Sequence, residues 1–395
     1  MKYLLLRLKR FCGFITGFVF FIGGILKVMD PTGAGLVMGE YFDFLHLKFL
    51  DFAAKPAGTA FALAEVIIGT ALITGVWRKI TGIIALAFQG FFTMLTLALV
   101  IFNPEMDCGC FGEAVNLTHP ETFHKNIVLL VLLAIYFFPA RMLGQPVKGK
   151  FVSFGIVTAS VLAFTVYSWM YIPMMDFTDY KPAALLKAAQ KYTDSGEEAY
   201  EAVFVYEKDG QEQAFDLENL PDSTWNFVRT ETLAKAASED YGLIDLSFYD
   251  ESGEYKDEMA IEEKVMVVSV YDPEIGNRKW EEISDFMTNA EEAGFKAILL
   301  VAGTPEQVAG TIFTGDIYFS DYKTLIAMNR SNGGATYFSN GYLVRKWAYR
   351  SLPDLDKLCE IYQDDETETI IYHDAKGSLG FQGFLLYVFA VMLLL

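Results

Sequence analysis

The chain has 395 residues, of which 53% are hydrophobic and 15% aromatic, yet its formal net charge at pH 7 is -19. The charge is unevenly divided: residues 1–176 carry 13 Lys/Arg and 10 Asp/Glu, whereas residues 177–395 carry 18 and 40. This division excludes a uniformly soluble enzyme, a disordered acidic protein and a nucleic-acid binder that uses a basic patch. It predicts a membrane part joined to an acidic aqueous part.

Six apolar runs are candidates for membrane spans, because a spanning helix needs about 20 mostly apolar residues. The predicted spans are 11–29, 57–77, 80–102, 126–143, 151–175 and 379–395. The alternative, buried core helices of a soluble protein, does not account for the charged flanks that alternate along the first five runs. A lipid bilayer is therefore an expected partner.

The basic residues predict the orientation of these spans. Nine of them fall on one side, which the positive-inside rule makes cytoplasmic: Lys2, Arg7, Lys9, Arg10, Arg78, Lys79, Arg141, Lys148 and Lys150. Only four fall in or beside the loops of the other side: Lys27, Lys48, Lys55 and Lys125. The N-terminus is then cytoplasmic, the first span is retained because no small-residue cleavage site follows it, and residues 177–378 lie outside.

The first external loop, residues 30–56, carries apolar residues at helical spacing, namely Phe42, Leu45, Phe49 and Phe52. This spacing predicts an interfacial helix packed on the bundle. The alternative is a loop with scattered aromatic residues.

The second external loop contains the sequence Asp107-Cys108-Gly109-Cys110-Phe111-Gly112. A disulfide between Cys108 and Cys110 would close a small, strained ring of the kind that suits thiol exchange, on a side of the membrane where disulfides persist. Two other interpretations stay open. The pair could be an inert local staple, or part of a metal site with His119 and His124, although metal sites prefer wider cysteine spacing.

Two polar residues lie in the middle of predicted spans, Glu65 in the second and Gln89 in the third. A carboxylate at this depth is costly and usually faces the bundle interior or a cavity. The candidate partners of Glu65 are Gln89 and the hydroxyls of Thr70 and Thr74. The functional interpretation is a proton site or a contact with a quinone head group, and the alternative is a hydrogen bond that bundles helices.

Residues 177–378 alternate strand and helix signals. The predicted elements are a hairpin at 202–217, strands at 265–271, 297–301, 317–319, 335–338 and 342–347, and helices at 279–293, 305–313, 321–329 and after Pro353. The order β-α-β-α-β-β-α predicts an α/β thioredoxin-like layer. Residues 272–278, where such a fold carries Cys-x-x-Cys, contain no cysteine, and the loop 333–336 contains no proline. A binding or assembly surface is therefore the better interpretation of this domain.

Several segments together resemble the DoxX/MauE group of bacterial membrane proteins. They are Gly23-Gly24-Ile25-Leu26-Lys27, Asp30-Pro31, the span with Glu65, and Asp107-Cys108-Gly109-Cys110-Phe111-Gly112. The stretches from Leu117 to Asn126 and from Arg330 to Gly334 are similar to members with an extra thioredoxin-like outer domain. The resemblance implies a four-helix redox-associated core in a bacterial inner membrane. MauE relatives are tied to disulfide-dependent maturation of a periplasmic dehydrogenase, and DoxX relatives to sulfur or quinone oxidoreductases.

The predicted fold class is therefore an all-α membrane bundle joined to an α/β domain. The predicted domains are a four-helix transmembrane domain (1–150), a fifth helix (151–176), a periplasmic acidic thioredoxin-like domain (177–378) and a C-terminal helix (379–395). No metal site and no nucleic-acid partner are expected, and the oligomeric state stays open.

Two functions fit this organisation. In the first, Cys108 and Cys110 pass disulfide or electron equivalents between a periplasmic protein client and a quinone, Glu65 handles a proton and Gln89 contacts the quinone. This function makes the protein a component of a quinone-linked thiol-disulfide oxidoreductase. In the second, the protein is a non-catalytic anchor or assembly factor that presents the outer domain. A transporter is a weaker third interpretation, because only Glu65 and Gln89 indicate a polar path and no internal repeat is present.

Overall fold

The computed structural model describes residues 2–104, 106, 108–115, 117–140, 143, 147–189, 200–208, 211–215, 225–234, 242–308 and 313–394. Asp107 and Arg141, both used above, lie outside these residues. The chain forms two compact units, one of Met1–Phe177 with His373–Leu395 and one of Thr178–Tyr372. The first is helical and the second is built on β-sheets.

The helices are α1 (Lys2–Met29), α2 (Pro31–Phe44), α3 (Ala54–Thr74), α4 (Arg78–Phe102), α5 (His119–Phe137), α6 (Lys148–Met170), α7 (Asn277–Glu292), α8 (Pro305–Val308), α9 (Tyr322–Met328), α10 (Leu355–Gln363) and α11 (Glu366–Leu394). Among the described residues, six helical stretches are long and apolar enough to cross a membrane: Tyr3–Met29, Lys48–Thr74, Arg78–Phe102, His119–Phe137, Lys148–Met170 and Glu366–Leu394. The prediction of about six spanning helices is confirmed.

The helices that contain the later predicted spans begin or end at other residues than these approximate spans. The fourth is in α5, which begins at His119 and not at 126, because Thr118 caps its first turn and the Glu121 carboxylate accepts a hydrogen bond from the Thr118 N–H. Because the first turns of α5 are polar, hydropathy alone does not indicate this start. The fifth helix ends at Met170, before the predicted 175, and the sixth begins at Glu366, well before 379.

The prediction of an interfacial helix through residues 42–52 is wrong. Asp30 accepts a hydrogen bond from the Gly33 N–H and starts α2, whose first turns are buried in the unit. The helix ends at Phe44, His46 takes a positive φ of 57°, and a 3₁₀ helix follows. Phe49 and Phe52 are 73% and 85% exposed, so these two rings do not pack against the bundle.

Helices α1 and α3 form the centre of the helical unit. A Cβ added to Gly17 would lie 2.8 Å from the carbonyl oxygen of Gly69, so the two backbones touch at this point. Gly13, one turn earlier, faces the ring of Tyr136 on α5 instead. The two glycines therefore allow close approach of two different helices, α3 at Gly17 and α5 at Gly13.

Two apolar cores flank this central pair. One joins α1 and α3 to α4 and α5 and includes Cys12 and Leu133, and the other joins them to α6 and α11 and includes Val161 and Phe381. Cys12 is 2% exposed and packs as an apolar residue of this core.

Three of the basic residues used for orientation bind carbonyl groups near helix ends. The Nζ of Lys9 lies 3.0 Å from the carbonyl oxygen of Tyr136, and Nη1 of Arg78 lies 2.6 Å from that of Leu143. Lys150 donates to the last turn of α11. The start of α1, the α3–α4 turn, the end of α5, the start of α6 and the end of α11 thus share one end of the unit. That this end is cytoplasmic stays a prediction.

Strand β1 (Cys110–Glu113) lies in the helical unit. The second unit contains an eight-stranded sheet. Its strands are β2 (Leu185–Leu186), β6 (Leu243–Ile244), β7 (Phe248–Tyr249), β8 (Val265–Val270), β9 (Lys296–Val301), β10 (Ile317–Ser320), β11 (Gly334–Ser339) and β12 (Tyr342–Trp347). They lie in the order β6-β2-β12-β11-β8-β9-β10-β7. Strands β8, β9 and β10 are parallel to each other, whereas β11 is antiparallel to both β8 and β12.

Both faces of this sheet are covered, which explains why β8 is buried throughout and reads as a continuous apolar run. Trp280 and Ile283 of α7 and Leu358 of α10 pack on one face, and Leu325 of α9 packs on the other. The predicted strands and the helices α7, α9 and α10 are confirmed with small shifts in their ends. Helix α8 is described over Pro305–Val308, and residues 309–312, through which the predicted helix continues, lie outside the description.

A separate three-stranded antiparallel sheet is formed by β3 (Tyr200–Lys208), β4 (Gln211–Phe215) and β5 (Asn226–Ala234), with β3 in the middle. The hairpin predicted at 202–217 corresponds to β3 and β4. The third strand and the separation from the larger sheet were not predicted.

Candidate functional site

A cavity of about 170 Å³ lies within the helical unit, among α1 to α5. All four predicted site residues line it: Glu65 from α3, Gln89 from α4, and Cys108 and Cys110 from the segment that follows α4. Glu65, Gln89 and the cysteine pair are far apart in the sequence, and the fold brings them to one cavity.

The cysteine segment is held against α2. Gly109 has a positive φ of 59°, and a Cβ at this position would lie 2.4 Å from Cγ1 of Val37, so only glycine fits here. The hydroxyl of Tyr41 donates to the carbonyl oxygen of Cys108 at 3.0 Å. Burial raises the pKa of the Tyr41 phenol, and the neighbouring cysteines add to the effect, so the phenol keeps the proton that it donates.

The two thiols differ in their surroundings. Cys108 is 5% exposed, whereas Cys110 is only partly buried. The Sγ atom of Cys108 lies 3.1 Å from Nδ1 of His119, and Nε2 of the same ring lies 3.1 Å from the carbonyl oxygen of Pro104. The chain therefore places an imidazole on one member of the pair.

Glu65 forms an ion pair with Lys27 across the α1–α3 interface, with Oε2 2.5 Å from Nζ. The partners predicted for it, Gln89, Thr70 and Thr74, are wrong. Both threonine hydroxyls bond to carbonyl groups of their own helix, because a hydroxyl in a helix can reach the carbonyl four residues earlier. The side chains of Lys27 and Glu65 are 18% and 16% exposed, so the pair is largely withdrawn from water.

Gln89 joins α4 to α5. Its Nε2 donates to the carbonyl oxygen of Asn126 at 3.1 Å, and Nδ2 of Asn126 donates in turn to Oγ1 of Thr96 at 3.2 Å. The bundling role that the sequence left open is therefore present, and the same amide also lines the cavity.

The rest of the cavity wall is mostly apolar, and part of it reaches the surface of the unit. Three lining residues are exposed, Leu45 to 46%, Phe61 to 39% and Phe91 to 52%. The ring of Phe61 on α3 meets that of Phe92 on α4 edge-on, with 6.0 Å between centroids. The cavity thus combines a few polar groups with a wall of aromatic and aliphatic side chains, which is typical of a site for an organic ligand.

Sequence reasoning missed Lys27 and Tyr41 as parts of the site and gave His119 only as a metal ligand. A lysine in the last turn of the first apolar helix and a carboxylate inside the next one were the available signal for the ion pair. Among the described residues, no group of three or more His, Cys, Asp or Glu side chains is arranged to hold a metal ion.

The helices and the cavity define a multi-pass membrane protein. Residues 2–139 match the family model described as methylamine utilisation protein MauE, so this part of the chain is similar to that family. Residues 200–235, which span the three-stranded sheet, match a domain of unknown function, DUF8463. No curated protein and no solved structure matches the chain.

Proposed function

We propose that the protein passes disulfide or electron equivalents through Cys108 and Cys110, as an accessory to the maturation of proteins outside a bacterial inner membrane. The observation that supports this function is the convergence of both cysteines, the Glu65–Lys27 ion pair and Gln89 on one cavity. A local disulfide staple would need no such cavity beside it.

A quinone is the proposed electron acceptor. An engineered cavity of about 150 Å³ with apolar walls binds benzene, so a cavity of about 170 Å³ is large enough for a single-ring head group. The exposed apolar residues at its edge, Leu45, Phe61 and Phe91, would let a lipid-borne ligand enter from the bilayer. Lys27 and Gln89 supply N–H donors that suit the carbonyl oxygens of such a ring.

Glu65 is the proposed proton site of this reaction. Reduction of a quinone to a hydroquinone takes up two electrons and two protons, so the cavity needs a group that can deliver protons to the ring. The carboxylate of Glu65 is paired with Lys27 at the cavity wall and is well placed for that role.

The redox state of the cysteine pair tests this proposal. Cells or sealed vesicles are labelled with a thiol reagent that does not cross membranes, under conditions that either oxidise or reduce the quinone pool. We expect Cys108 and Cys110 to become labelled when the quinone pool is reduced and to be protected when it is oxidised. Cys359, an exposed cysteine of the other unit, is the internal control for reagent access. A pair whose state never changes would refute the redox function.

A second candidate is a non-catalytic assembly factor that presents a thioredoxin-like binding domain. The order β9-β8-β11-β12, with a parallel pair followed by an antiparallel hairpin, supports a thioredoxin-like identity. In this sheet the loop after β8 is tied to the segment before β11. The side-chain amide of Asn332 donates to the carbonyl of Asp272 at 2.8 Å and its oxygen accepts from the Asp272 N–H.

Paired variants separate the two candidates. If the assembly-factor function is correct, replacing Cys108 and Cys110 with serine leaves client maturation intact, while removal of residues 178–372 abolishes it. If the redox function is correct, the serine variant stops maturation even though residues 178–372 are present.

A further inference from the structure

We propose that His119 is the acid–base partner of Cys108, and that the two cysteines therefore have different roles in exchange: Cys110 meets the client and Cys108 is the leaving group. This inference rests on the redox function proposed above and assigns the chemistry inside it. It comes from two contacts of one imidazole ring and from the unequal burial of the two thiols.

The hydrogen bonds of His119 fix where its proton lies. The carbonyl oxygen of Pro104 can only accept a hydrogen bond, so Nε2, which lies 3.1 Å from it, carries the ring proton. In a neutral ring Nδ1 then has the lone pair, and that atom lies 3.1 Å from Sγ of Cys108. The thiol therefore donates to Nδ1, and the ring is oriented to take its proton, in the same way that a third group orients the base in other nucleophile–base pairs.

The position of the histidine is set by the helix start. His119 is the first residue of α5, directly after Thr118, whose capping box with Glu121 fixes the first turn. Tyr41 holds the cysteine segment from the other side through the carbonyl of Cys108. Hydrogen bonds to other residues thus hold both His119 and Cys108 in position.

Among the described residues, several other titratable groups on the neighbouring elements have partners of their own. Glu65 pairs with Lys27, Nδ1 of His124 lies 2.6 Å from the Pro120 carbonyl, and Nζ of Lys125 lies 4.7 Å from the centre of the Phe111 ring. The other titratable groups that the structure describes near the segment include Tyr41 and its neighbour Glu40 on α2, Cys110 and Glu113 on the extended segment Cys110–Glu113, and Glu121, which accepts from Thr118. The imidazole of His119 is in contact with the Cys108 sulfur.

The unequal burial of the thiols gives the exchange a direction. In the oxidised pair, a client thiol gives its proton to Nδ1 of His119 and its sulfur attacks Sγ of the more accessible Cys110. The Cys108–Cys110 bond breaks, and Cys108 leaves as a thiolate that takes this proton from Nδ1. A second client thiol then displaces Cys110, which leaves with its proton. The client has lost two electrons and two protons and gained a disulfide, and the pair has gained both. A quinone removes them again and becomes the hydroquinone while the disulfide forms anew.

The inference is tested by the pH profile of alkylation of Cys108 in the reduced, full-length protein in detergent micelles. Cys110 is replaced with serine, and iodoacetamide incorporation at Cys108 is followed by mass spectrometry of the peptides. A histidine-paired cysteine reacts at lower pH than an unassisted thiol, whose thiolate forms near pH 8.5. We expect the His119→Asn and His119→Gln variants to move the half-maximal rate of Cys108 upward by about one pH unit or more, and to slow it about tenfold at pH 7.

The two variants keep different contacts. Asparagine places an amide near the position of Nδ1 and can still bond to the Cys108 sulfur, whereas glutamine can still reach the carbonyl of Pro104. The matched control is His124→Gln, five residues later on the same helix, which should leave the Cys108 profile unchanged. Cys359 reports any general change in reagent reactivity. A folded His119 variant with the wild-type profile overturns the inference.

A measurement on the wild type covers the case in which neither variant folds. Nitrogen-15 spectra of the His119 ring should show Nε2 protonated throughout and Nδ1 gaining a proton as Cys108 loses one. A ring whose Nδ1 carries the proton while Cys108 is still a thiol overturns the inference. The two proposals can fail separately. If the cysteine pair cycles with the quinone pool but the pH profile of Cys108 alkylation does not depend on His119, only this inference is refuted. A pair that never cycles refutes the redox function whatever the profile.

Discussion

The ion pair between Lys27 and Glu65 leads to a quantitative prediction about stability. Removing one partner of a fully buried pair costs about 3–5 kcal/mol, because the other charge stays behind without compensation. The Lys27 and Glu65 side chains are 18% and 16% exposed, so water can partly solvate the remaining charge. We therefore expect Glu65→Gln and Lys27→Met each to lower the free energy of unfolding by about 2–3 kcal/mol.

The double variant is the decisive measurement. With both charges gone, no charge is left unpaired in the apolar unit, so we expect the double variant to be more stable than the sum of the two single losses by about 2 kcal/mol. Equilibrium unfolding in mixed micelles measures all four proteins of the cycle. A coupling energy near zero would refute the conclusion that these two charges compensate each other.

A matched pair on the surface serves as the control. Lys48 and Asp43 lie 3.4 Å apart, but their side chains are 75% and 52% exposed. Such pairs contribute about 0–1 kcal/mol, so the same cycle here should give a coupling energy well below that of Lys27 and Glu65.

The same set of variants distinguishes a structural role of Glu65 from a role in proton transfer. Because Lys27 is also a proposed donor to the quinone, redox cycling of the double variant is compared with that of Lys27→Met alone. If Glu65 only neutralises Lys27, the double variant recovers stability and cycles at least as fast as Lys27→Met. If Glu65 is the proton site, the double variant recovers stability but cycles more slowly than Lys27→Met.

Three further predictions concern other parts of the chain. Gly109→Ala should destabilise the protein by at least about 1 kcal/mol, measured by thermal unfolding, because a Cβ meets α2 at 2.4 Å and φ is positive. Gly17→Ala should lower the melting temperature through a 2.8 Å contact with α3, while Gly90→Ala, with nothing within 4 Å, should not. The hydroxyl of Tyr349 donates to Glu282 and, with Arg278, lowers the pKa of Glu282 below its ordinary 4.5. Its stabilisation is therefore present above about pH 4.5 and lost as the pH falls through the folded pKa. Glu282→Gln should weaken the pH dependence of unfolding in that acid range and leave it unchanged near neutrality.

The order of elements was predictable because it depends on local pattern. Apolar runs of about 20 residues predicted the spanning helices, and the buried strand Val265–Val270 was visible as an unbroken apolar run. Limits were harder to predict where polar residues begin a helix. The capping box at Thr118 starts α5 two turns before its hydropathy rises. Helix α11 also begins with polar residues, at Glu366, before its apolar part.

Four residues of the candidate site were predictable from the sequence, but their contacts were not. Cys108, Cys110, Glu65 and Gln89 stood out because each is unusual where it lies, either as a close cysteine pair or as a polar group in an apolar run. Their partners are not neighbours in sequence: Lys27 reaches Glu65 across 38 positions.

The sequence by itself thus determined that this protein has a membrane part and an acidic part, and which residues are chemically exceptional. These properties depend on composition and on short-range periodicity, both of which the sequence shows directly. Only the tertiary structure decided that the exceptional residues share one cavity, that Glu65 is balanced by Lys27, and that an imidazole lies on Cys108 and not on Cys110. Each of these depends on how helices α1 to α5 pack together, and a distance across such an interface cannot be read along a chain.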